Sequence, residues 1–161
     1  MDVKRYIFLD IDGVLATSAQ FWSKKRHEVH DCYRFDAKCV KIFNEILEKT
    51  KAIIVLSSDW KDHYEIEAMN NIFEWNGVQG IISEYTPPLW GVEFFRVSEL
   101  EACRSAEILK YVKDNDVKKW IAIDDLDLSP YIEDENFVRT PRANEGIKQS
   151  GVKEKILKRL I

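Results

Sequence analysis

Short apolar runs alternate with longer amphipathic segments along the chain. Consecutive apolar residues are typical of strands that are buried on both faces of a parallel sheet. Gly80–Ile82 is the weakest of these runs. The pattern predicts five short strands: Tyr6–Leu9, Ala52–Leu56, Gly80–Ile82, Trp120–Ile123 and Phe137–Arg139.

Four amphipathic segments predict helices: one from about Asp36 to Thr50, one from near Asp59 to before Gly77, one that opens at Ser98, and one that begins after Ser150. Asp36 is placed to cap the first helix and Asp59 the second, because Asp side chains accept hydrogen bonds from the free N–H groups of a helix start. Ser98 and Glu101 have capping-box spacing. Gly77 is typical of the position just after a helix.

The alternation of strands and helices predicts an α/β fold, a doubly wound parallel sheet with helices on both faces. The length of 161 residues fits a single domain over residues 1–161. Two long connections interrupt the pattern, Gly13–Phe35 and Ser83–Val97. Loops of this length in a compact domain are usually functional or mobile. In such sheets, ligands bind beyond the carboxyl ends of the strands.

Composition and charge exclude several classes of protein. The chain has 28 acidic and 24 basic residues, a net charge of −4, which argues against a broadly basic nucleic-acid surface. No apolar stretch approaches the roughly 20 residues that cross a bilayer, and the N-terminus does not resemble a secretory signal. The three cysteines form no Cys-x-x-Cys pair. We therefore expect a cytoplasmic protein without a disulfide framework or a membrane partner.

Carboxylate and hydroxyl groups follow three of the predicted strands. Asp10 and Asp12 come directly after the first strand, Ser57 and Ser58 follow the second, and Asp124–Asp125 end the fourth. Any one of these groups is common in a turn or a helix cap. Their joint occurrence at the carboxyl ends of three strands predicts a reaction site, because clustered acids are unfavourable without a cation or a reaction that needs them.

These segments resemble the motifs of the haloacid dehalogenase (HAD) superfamily, most of whose members are phosphotransferases. Phe8–Leu15 looks like the first motif, Ile54–Ser57 the second and Ile121–Asp125 the fourth. The chain leaves little room for the cap domain that HAD phosphatases commonly carry. Further segments are similar to a HAD domain found in multidomain RNA-repair proteins: Leu56–Lys61, Arg104–Ile108, Val138–Thr140 and Gly146–Ile147.

The resemblance implies catalytic roles for two aspartates and a metal. Asp10 would be the nucleophile that forms an aspartyl-phosphate, and Asp12 the general acid and base. The implied cofactor is Mg²⁺, held by Asp10, the backbone carbonyl of Asp12 and Asp124, with Asp125 as a further candidate.

The phosphate would be bound by Ser57, Ser58 and the backbone at Gly13, which lacks a Cβ that would block its approach. The third motif usually supplies a lysine, and this chain departs from that pattern. Arg104 is our candidate for the role, since an arginine can bind two phosphate oxygens. Its competitors for this role are Lys110 and Lys118.

The sequence thus predicts a Mg²⁺-dependent phosphomonoesterase whose partner is a phosphorylated substrate, with polynucleotide ends favoured. Mononucleotides or other small phosphates are an alternative, and so is a non-catalytic phosphate-binding module. A dehalogenase would have no use for Asp12. The basic run Lys24–Arg26, beside Phe21 and Trp22, either meets a nucleic-acid strand or is a solvated loop with both aromatic rings packed beneath it.

Overall fold

The computed structural model of the protein describes residues 2–89 and 97–161. In this part of the chain all neighbouring strands are parallel, in the order β3-β2-β1-β4-β5, so that β1 is central. This confirms the predicted α/β fold with a doubly wound parallel sheet. The strands are β1 (Arg5–Leu9), β2 (Ile53–Leu56), β3 (Ile82–Tyr85), β4 (Lys119–Asp124) and β5 (Phe137–Arg139).

Helices cover both faces of the sheet. They are α1 (Ser18–Phe21), α2 (Ala37–Thr50), α3 (Ile66–Trp75), α4 (Val97–Asp114) and α5 (Val152–Leu160), with 3-10 turns at Asp59–Asp62, Asp134–Asn136 and Gly146–Lys148. Buried side chains of α2, α3 and α5 share one core, and those of α4 belong to the other. Ile7 and Leu9 point into the first core and Phe8 into the second, as the two-residue period of a strand requires.

The register of the central strands sets the position of the site. Leu9 lies opposite Leu56 of β2 and Ile123 of β4. The backbone ladder continues one residue further, because Ser57 N donates to Leu9 O at 3.0 Å and Asp10 N donates to Ile123 O at 3.1 Å. The residues that follow the three strands therefore leave the sheet at the same level.

The predicted second helix is wrong at its start. A 3-10 turn occupies Asp59–Asp62, and α3 begins only at Ile66. The cap of the turn is Ser58, whose Oγ accepts a hydrogen bond from Trp60 N at 3.3 Å, so the predicted capping role of Asp59 is also wrong. The tight turn buries Trp60, and the chain then becomes extended at Glu65, which separates the turn from the helix.

The third strand is displaced from its predicted position. β3 covers Ile82–Tyr85 rather than Gly80–Ile82. It lies at the edge of the sheet, where the exposed polar residues Ser83 and Glu84 are tolerated. The apolar pattern placed the strand too early. It counted Ile81 as a buried strand residue, but the Ile81 side chain is 71% exposed and lies before the strand.

Other local predictions are confirmed. Asp36 caps α2 by accepting hydrogen bonds from Lys38 N at 2.9 Å and Cys39 N at 3.1 Å. Gly77 follows α3 with a φ of +76°. The side chain of Ser98, predicted to cap α4, lies outside the described residues, as does the 90–96 part of the second long connection.

The intervals where HAD phosphatases carry a cap hold other elements. α1 and α2 fill the connection between β1 and β2, and α3 and β3 follow β2. Within residues 2–89 and 97–161, no inserted cap domain is present. In the same residues, no helix has the length and apolar character that a membrane-spanning segment needs.

Candidate active site

Three carboxylates converge at the carboxyl edge of the sheet. Asp10 follows β1, and Asp124 and Asp125 lie at the end of β4. One oxygen from each lies within 4.8 Å of the others. Asp10 and Asp124 are buried and Asp125 is half-buried. The structure therefore brings together three of the predicted metal ligands.

Arg104 of α4 neutralises part of this cluster. Its Nη1 lies 2.7 Å from Asp124 Oδ2 and 3.4 Å from Asp10 Oδ1, and its Nη2 lies 2.9 Å from Asp59 Oδ1. The guanidinium is buried, whereas the Asp59 side chain is 71% exposed. Asp59 is thus an outer ion-pair partner of Arg104 at the edge of the site.

The two lysines that competed with Arg104 for the third-motif role do not reach the cluster. Lys110 pairs with Asp114 at 2.7 Å on the exposed face of α4. Lys118 pairs with Asp116 just before β4, at the opposite end of that strand from Asp124. Among these three cations, the geometry brings only Arg104 to Asp10.

Burial and mutual repulsion shift the carboxylates towards their protonated forms. Burial, with the charge of Asp124, raises the pKa of Asp10 to about 8, against the opposing effect of Arg104. Burial, with the charge of Asp10, raises the pKa of Asp125 to about 7. The pKa of Asp124 is also raised by burial. A divalent cation would relieve this repulsion, and three carboxylates are the hard oxygen ligands that Mg²⁺ prefers. The residues therefore fit the implied metal.

Asp12 lies outside the carboxylate cluster and is held by neutral donors. The Tyr33 hydroxyl donates a hydrogen bond to Asp12 Oδ1, and Trp60 Nε1 donates to Asp12 Oδ2 at 3.0 Å. The Tyr33 and Trp60 rings pack edge to face, with centroids 5.4 Å apart. The Asp12 carboxylate is therefore fixed in direction and separate from Arg104. The metal role predicted for its backbone carbonyl stays a prediction.

Gly13 makes room for a carboxylate. Its φ is +79°, and a Cβ at this position would lie 2.5 Å from Asp125 Oδ2. Thr140 Oγ1 donates to Gly13 O at 2.7 Å and fixes the turn. The sequence predicts that Gly13 leaves space for the phosphate. In the structure, the group that occupies the space next to Gly13 is the Asp125 carboxylate.

The two serines after β2 have different surroundings. Ser57 Oγ is buried and has no hydrogen-bond partner within the described part of the chain. Ser58 Oγ caps the 3-10 turn by accepting from Trp60 N. Ser57 therefore has a free hydroxyl donor next to Asp10, while Ser58 already serves the turn.

A cavity of about 510 Å³ opens beside these groups, and Ser57, Asp124 and Gly13 lie behind its wall. Asp10, Asp12, Ser58, Arg104 and Asp125 are part of its wall. Leu100 of α4 is 48% exposed and also lines the cavity. The remaining wall is formed by Asp59, Lys61, Asp62, Pro88, Leu89, Cys103, Glu107 and Leu126.

Four residues at or beside this cavity were missed in the sequence. Tyr33 and Trp60 hold Asp12, and Lys61 pairs with Glu107 at 3.1 Å in the cavity wall. Trp60 had a signal, since it directly follows the Ser-Ser-Asp segment of the second motif. Lys61 and Glu107 also had one, since they stand in the segments Leu56–Lys61 and Arg104–Ile108 that carry the resemblance. Tyr33 had none, because it comes from an irregular loop whose packing no pattern specifies.

A parallel sheet of this order, with paired acids after its central strand and further acids after the adjacent one, defines the HAD class of α/β proteins. Residues 6–152 match the family model described as the HAD domain in Swiss Army Knife RNA repair proteins, and the chain therefore belongs to this family. The predicted resemblance is confirmed. The family suggests a phosphatase-type activity. Comparison with curated proteins and with solved structures gave no match.

Proposed function

We propose that the protein is a Mg²⁺-dependent phosphomonoesterase that forms an aspartyl-phosphate on Asp10 and acts on phosphorylated polynucleotide ends. One observation carries the proposal: Asp10 and Asp12 line one cavity but have opposite surroundings. Asp10 lies against Arg104 and the other cluster acids, whereas among the described residues the Asp12 side chain is bound by the neutral donors of Tyr33 and Trp60. Two carboxylates with such different environments suit the two roles of nucleophile and acid–base.

The metal would be held by Asp10, Asp124 and Asp125, together with the backbone carbonyl of Asp12. When bound, Mg²⁺ would offset the negative charge of these carboxylates and of the phosphate. Part of the compensation comes from the protein itself, because Arg104 already lies against Asp10 and Asp124. In the proposed site, Arg104 takes the place of the third-motif lysine.

The first chemical step is attack by Asp10. A carboxylate oxygen of Asp10 forms a bond to phosphorus, and the bond from phosphorus to the leaving-group oxygen breaks. Asp12 donates its proton to that oxygen, so that the product leaves as an alcohol. The two hydrogen bonds from Tyr33 and Trp60 keep the Asp12 carboxyl directed as this transfer requires.

The second step returns the enzyme to its starting state. Water attacks the phosphorus of the aspartyl-phosphate, Asp12 accepts a proton from that water, and the bond from phosphorus to the Asp10 oxygen breaks. Inorganic phosphate leaves, Asp10 is a carboxylate again and Asp12 is protonated. Asp12 thus donates in one step and accepts in the next.

Two groups of the protein are suited to bind the phosphate oxygens. The buried Ser57 hydroxyl lacks a partner within the described residues, so a phosphate oxygen would supply the acceptor that it lacks. Arg104 has a planar group of donors beside Asp10, and such a group matches the tetrahedral oxygens of phosphate. Ser58 and the backbone at Gly13 complete the predicted set.

Two observations support a polynucleotide end as substrate. The chain belongs to a family of HAD domains from RNA repair proteins. In the described residues no cap domain covers the cavity, which leaves space for a substrate that continues beyond its terminal phosphate.

The proposal is tested with purified protein and a panel of substrates in the presence of Mg²⁺. The panel contains oligonucleotides with a 3′- or 5′-phosphate, mononucleotides, sugar phosphates and phosphopeptides. We expect repeated turnover, highest for an oligonucleotide, and its loss with chelator or with Asp10→Asn. Asp114→Asn removes a carboxylate on the surface of α4 and is the matched control. Activity that survives Asp10→Asn, or release that stops after one equivalent, would contradict the mechanism.

A further inference from the structure

The loop after the first motif presents an exposed indole. Trp22 is 89% exposed, and its neighbour Phe21 is 38% exposed. The sequence left open whether both rings pack beneath the loop. Phe21 does pack, with its ring centroid 5.1 Å from that of Tyr33. The Trp22 ring stays in solvent.

The residues after Trp22 add positive charge. Arg26 is bound to Asp31, with Nε 2.7 Å from Oδ1. Lys24 and Lys25 are exposed, and neither forms an ion pair with another described residue. A single exposed apolar side chain needs no explanation, but an exposed indole beside two cations without acidic partners is the combination that binds single-stranded nucleic acid.

The loop is fixed to the body of the protein and adjoins the site. His27 packs edge to face on Trp75 with centroids 4.8 Å apart, and the Tyr64 hydroxyl donates to His30 O at 3.0 Å. At its other side, Phe21 lies on Tyr33, whose hydroxyl donates to Asp12. Two side chains in contact therefore connect the loop to a residue of the cavity wall.

We infer that Trp22, Lys24 and Lys25 form a docking surface for the single strand whose phosphorylated end enters the cavity. Trp22 stacks on a base and the two lysines contact backbone phosphates. The inference rests on the proposed polynucleotide substrate and adds a location for the rest of the strand. The net charge of −4 is no obstacle, because the surface needs only local positive charge.

The test measures binding apart from catalysis. The probe is an unphosphorylated oligouridine of eight nucleotides, labelled with fluorescein and followed by anisotropy over a series of salt concentrations. Stacking of one base is strong enough that Trp22→Ala should weaken binding by about fivefold or more. The salt slope should stay unchanged in this variant, and Trp22→Phe should restore part of the affinity.

The lysines have a different expected result. Each phosphate contact of a single strand contributes about 0.7 to the slope of log K against log salt. Lys24→Ala/Lys25→Ala should therefore reduce that slope by about 1.4. Lys155→Ala/Lys158→Ala removes the same charge from exposed positions of α5 and should leave both affinity and slope unchanged.

Hydrolysis of p-nitrophenyl phosphate, measured in parallel, separates the two proposals. An inactive protein whose RNA binding depends on Trp22 supports the surface and contradicts the phosphatase. If the protein is active and Trp22→Ala binds RNA as tightly as the wild type, the docking surface is contradicted and the phosphatase proposal stands. Wild-type protein that does not bind the strand, or that binds a blunt duplex as tightly, also overturns it.

Discussion

Trp60 Nε1 donates a hydrogen bond to Asp12 Oδ2 at 3.0 Å, and so holds one carboxylate oxygen of the proposed acid–base residue. Tyr33 holds the other oxygen. Trp60 comes from the turn after β2, Tyr33 from the loop before α2, and Asp12 from the segment after β1. Three separate parts of the chain thus determine the direction of one carboxylate.

Tyr33→Phe should lower kcat by about tenfold or more with a small change in KM, because Asp12 becomes a carboxylate as it gives up its proton, and a hydrogen bond to a charged group contributes about 1.5–3 kcal/mol. The loss should be larger for an alkyl phosphate than for p-nitrophenyl phosphate, whose leaving group needs little protonation. Steady-state kinetics with both substrates measures this difference.

The control for this variant is Tyr85→Phe. It removes a hydroxyl that donates to Tyr64 O at 2.8 Å and does not touch Asp12. It should leave kcat unchanged for both substrates. An equal loss of kcat with both leaving groups in Tyr33→Phe would show that the hydroxyl does not serve proton transfer.

The convergence of Asp10, Ser57 and Asp124 could be predicted because each directly follows an apolar strand, and parallel strands in register end at one edge. The partners of Asp12 could not be predicted in the same way. Tyr33 lies in an irregular loop, and no periodicity determines where such a loop packs. Asp59 was misassigned because the rule for helix caps applies equally to Ser58, which takes the capping position and leaves Asp59 to Arg104.

Gly13→Ala should lower the free energy of unfolding by more than the positive φ of this residue alone accounts for. A positive φ costs a residue with a Cβ about 1–2 kcal/mol. Gly77, with φ +76° against +79° for Gly13, has no atom within 4 Å of the point that a Cβ would occupy, whereas at Gly13 the Asp125 carboxylate lies in the way. Gly77→Ala therefore measures the cost of the backbone conformation by itself.

The two alanine variants are compared by urea unfolding and by calorimetric titration with Mg²⁺. We expect Gly13→Ala to be the more destabilised and to lose Mg²⁺ affinity at least tenfold, while Gly77→Ala keeps wild-type affinity. Equal effects on stability and unchanged Mg²⁺ binding in both would mean that Asp125 moves aside at no cost and is not a ligand.

Without metal, the stability of the protein should fall as pH rises from about 5 to 8.5. Burial raises the pKa of Asp10 to about 8 and that of Asp125 to about 7, so the folded state binds more protons than the unfolded chain in this range. Stability falls with pH wherever the folded state binds more protons. Asp36 does not offset this loss of stability. Burial acts to raise the pKa of Asp36, but the hydrogen bond from Lys148 outweighs it and lowers that pKa. The stability that Asp36 contributes is therefore lost only at a pH below this range.

Thermal unfolding with chelator at pH 6 and pH 8.5 measures this dependence. We expect a lower Tm at pH 8.5, and a larger rise in Tm on addition of Mg²⁺ at that pH, because the cation binds the ionised carboxylates of the folded state. Asp10→Asn should flatten the pH dependence and reduce the response to Mg²⁺. A metal-free Tm that rises across this pH range would contradict the assignment.

Lys61 and Glu107 form an ion pair at 3.1 Å in the cavity wall, with side chains only 6% and 10% exposed. Removal of one partner from a buried pair leaves an uncompensated charge and costs about 3–5 kcal/mol, whereas removal of both is often neutral. Glu107→Gln should therefore lower the free energy of unfolding by up to about that amount, because the exposed Asp62 carboxylate, 3.8 Å from Lys61 Nζ, remains as a weaker partner. Lys61→Met/Glu107→Leu should recover most of the loss.

Urea unfolding at pH 7 measures these changes, with Asp114→Asn as the control. That variant breaks the Lys110–Asp114 pair, whose side chains are about half exposed, and should cost less than about 1 kcal/mol. If the double variant is as unstable as Glu107→Gln, the residues stabilise the wall through packing and not as a charge pair. If instead Glu107→Gln costs no more than Asp114→Asn, water reaches Lys61 and the cavity is more open than the structure indicates.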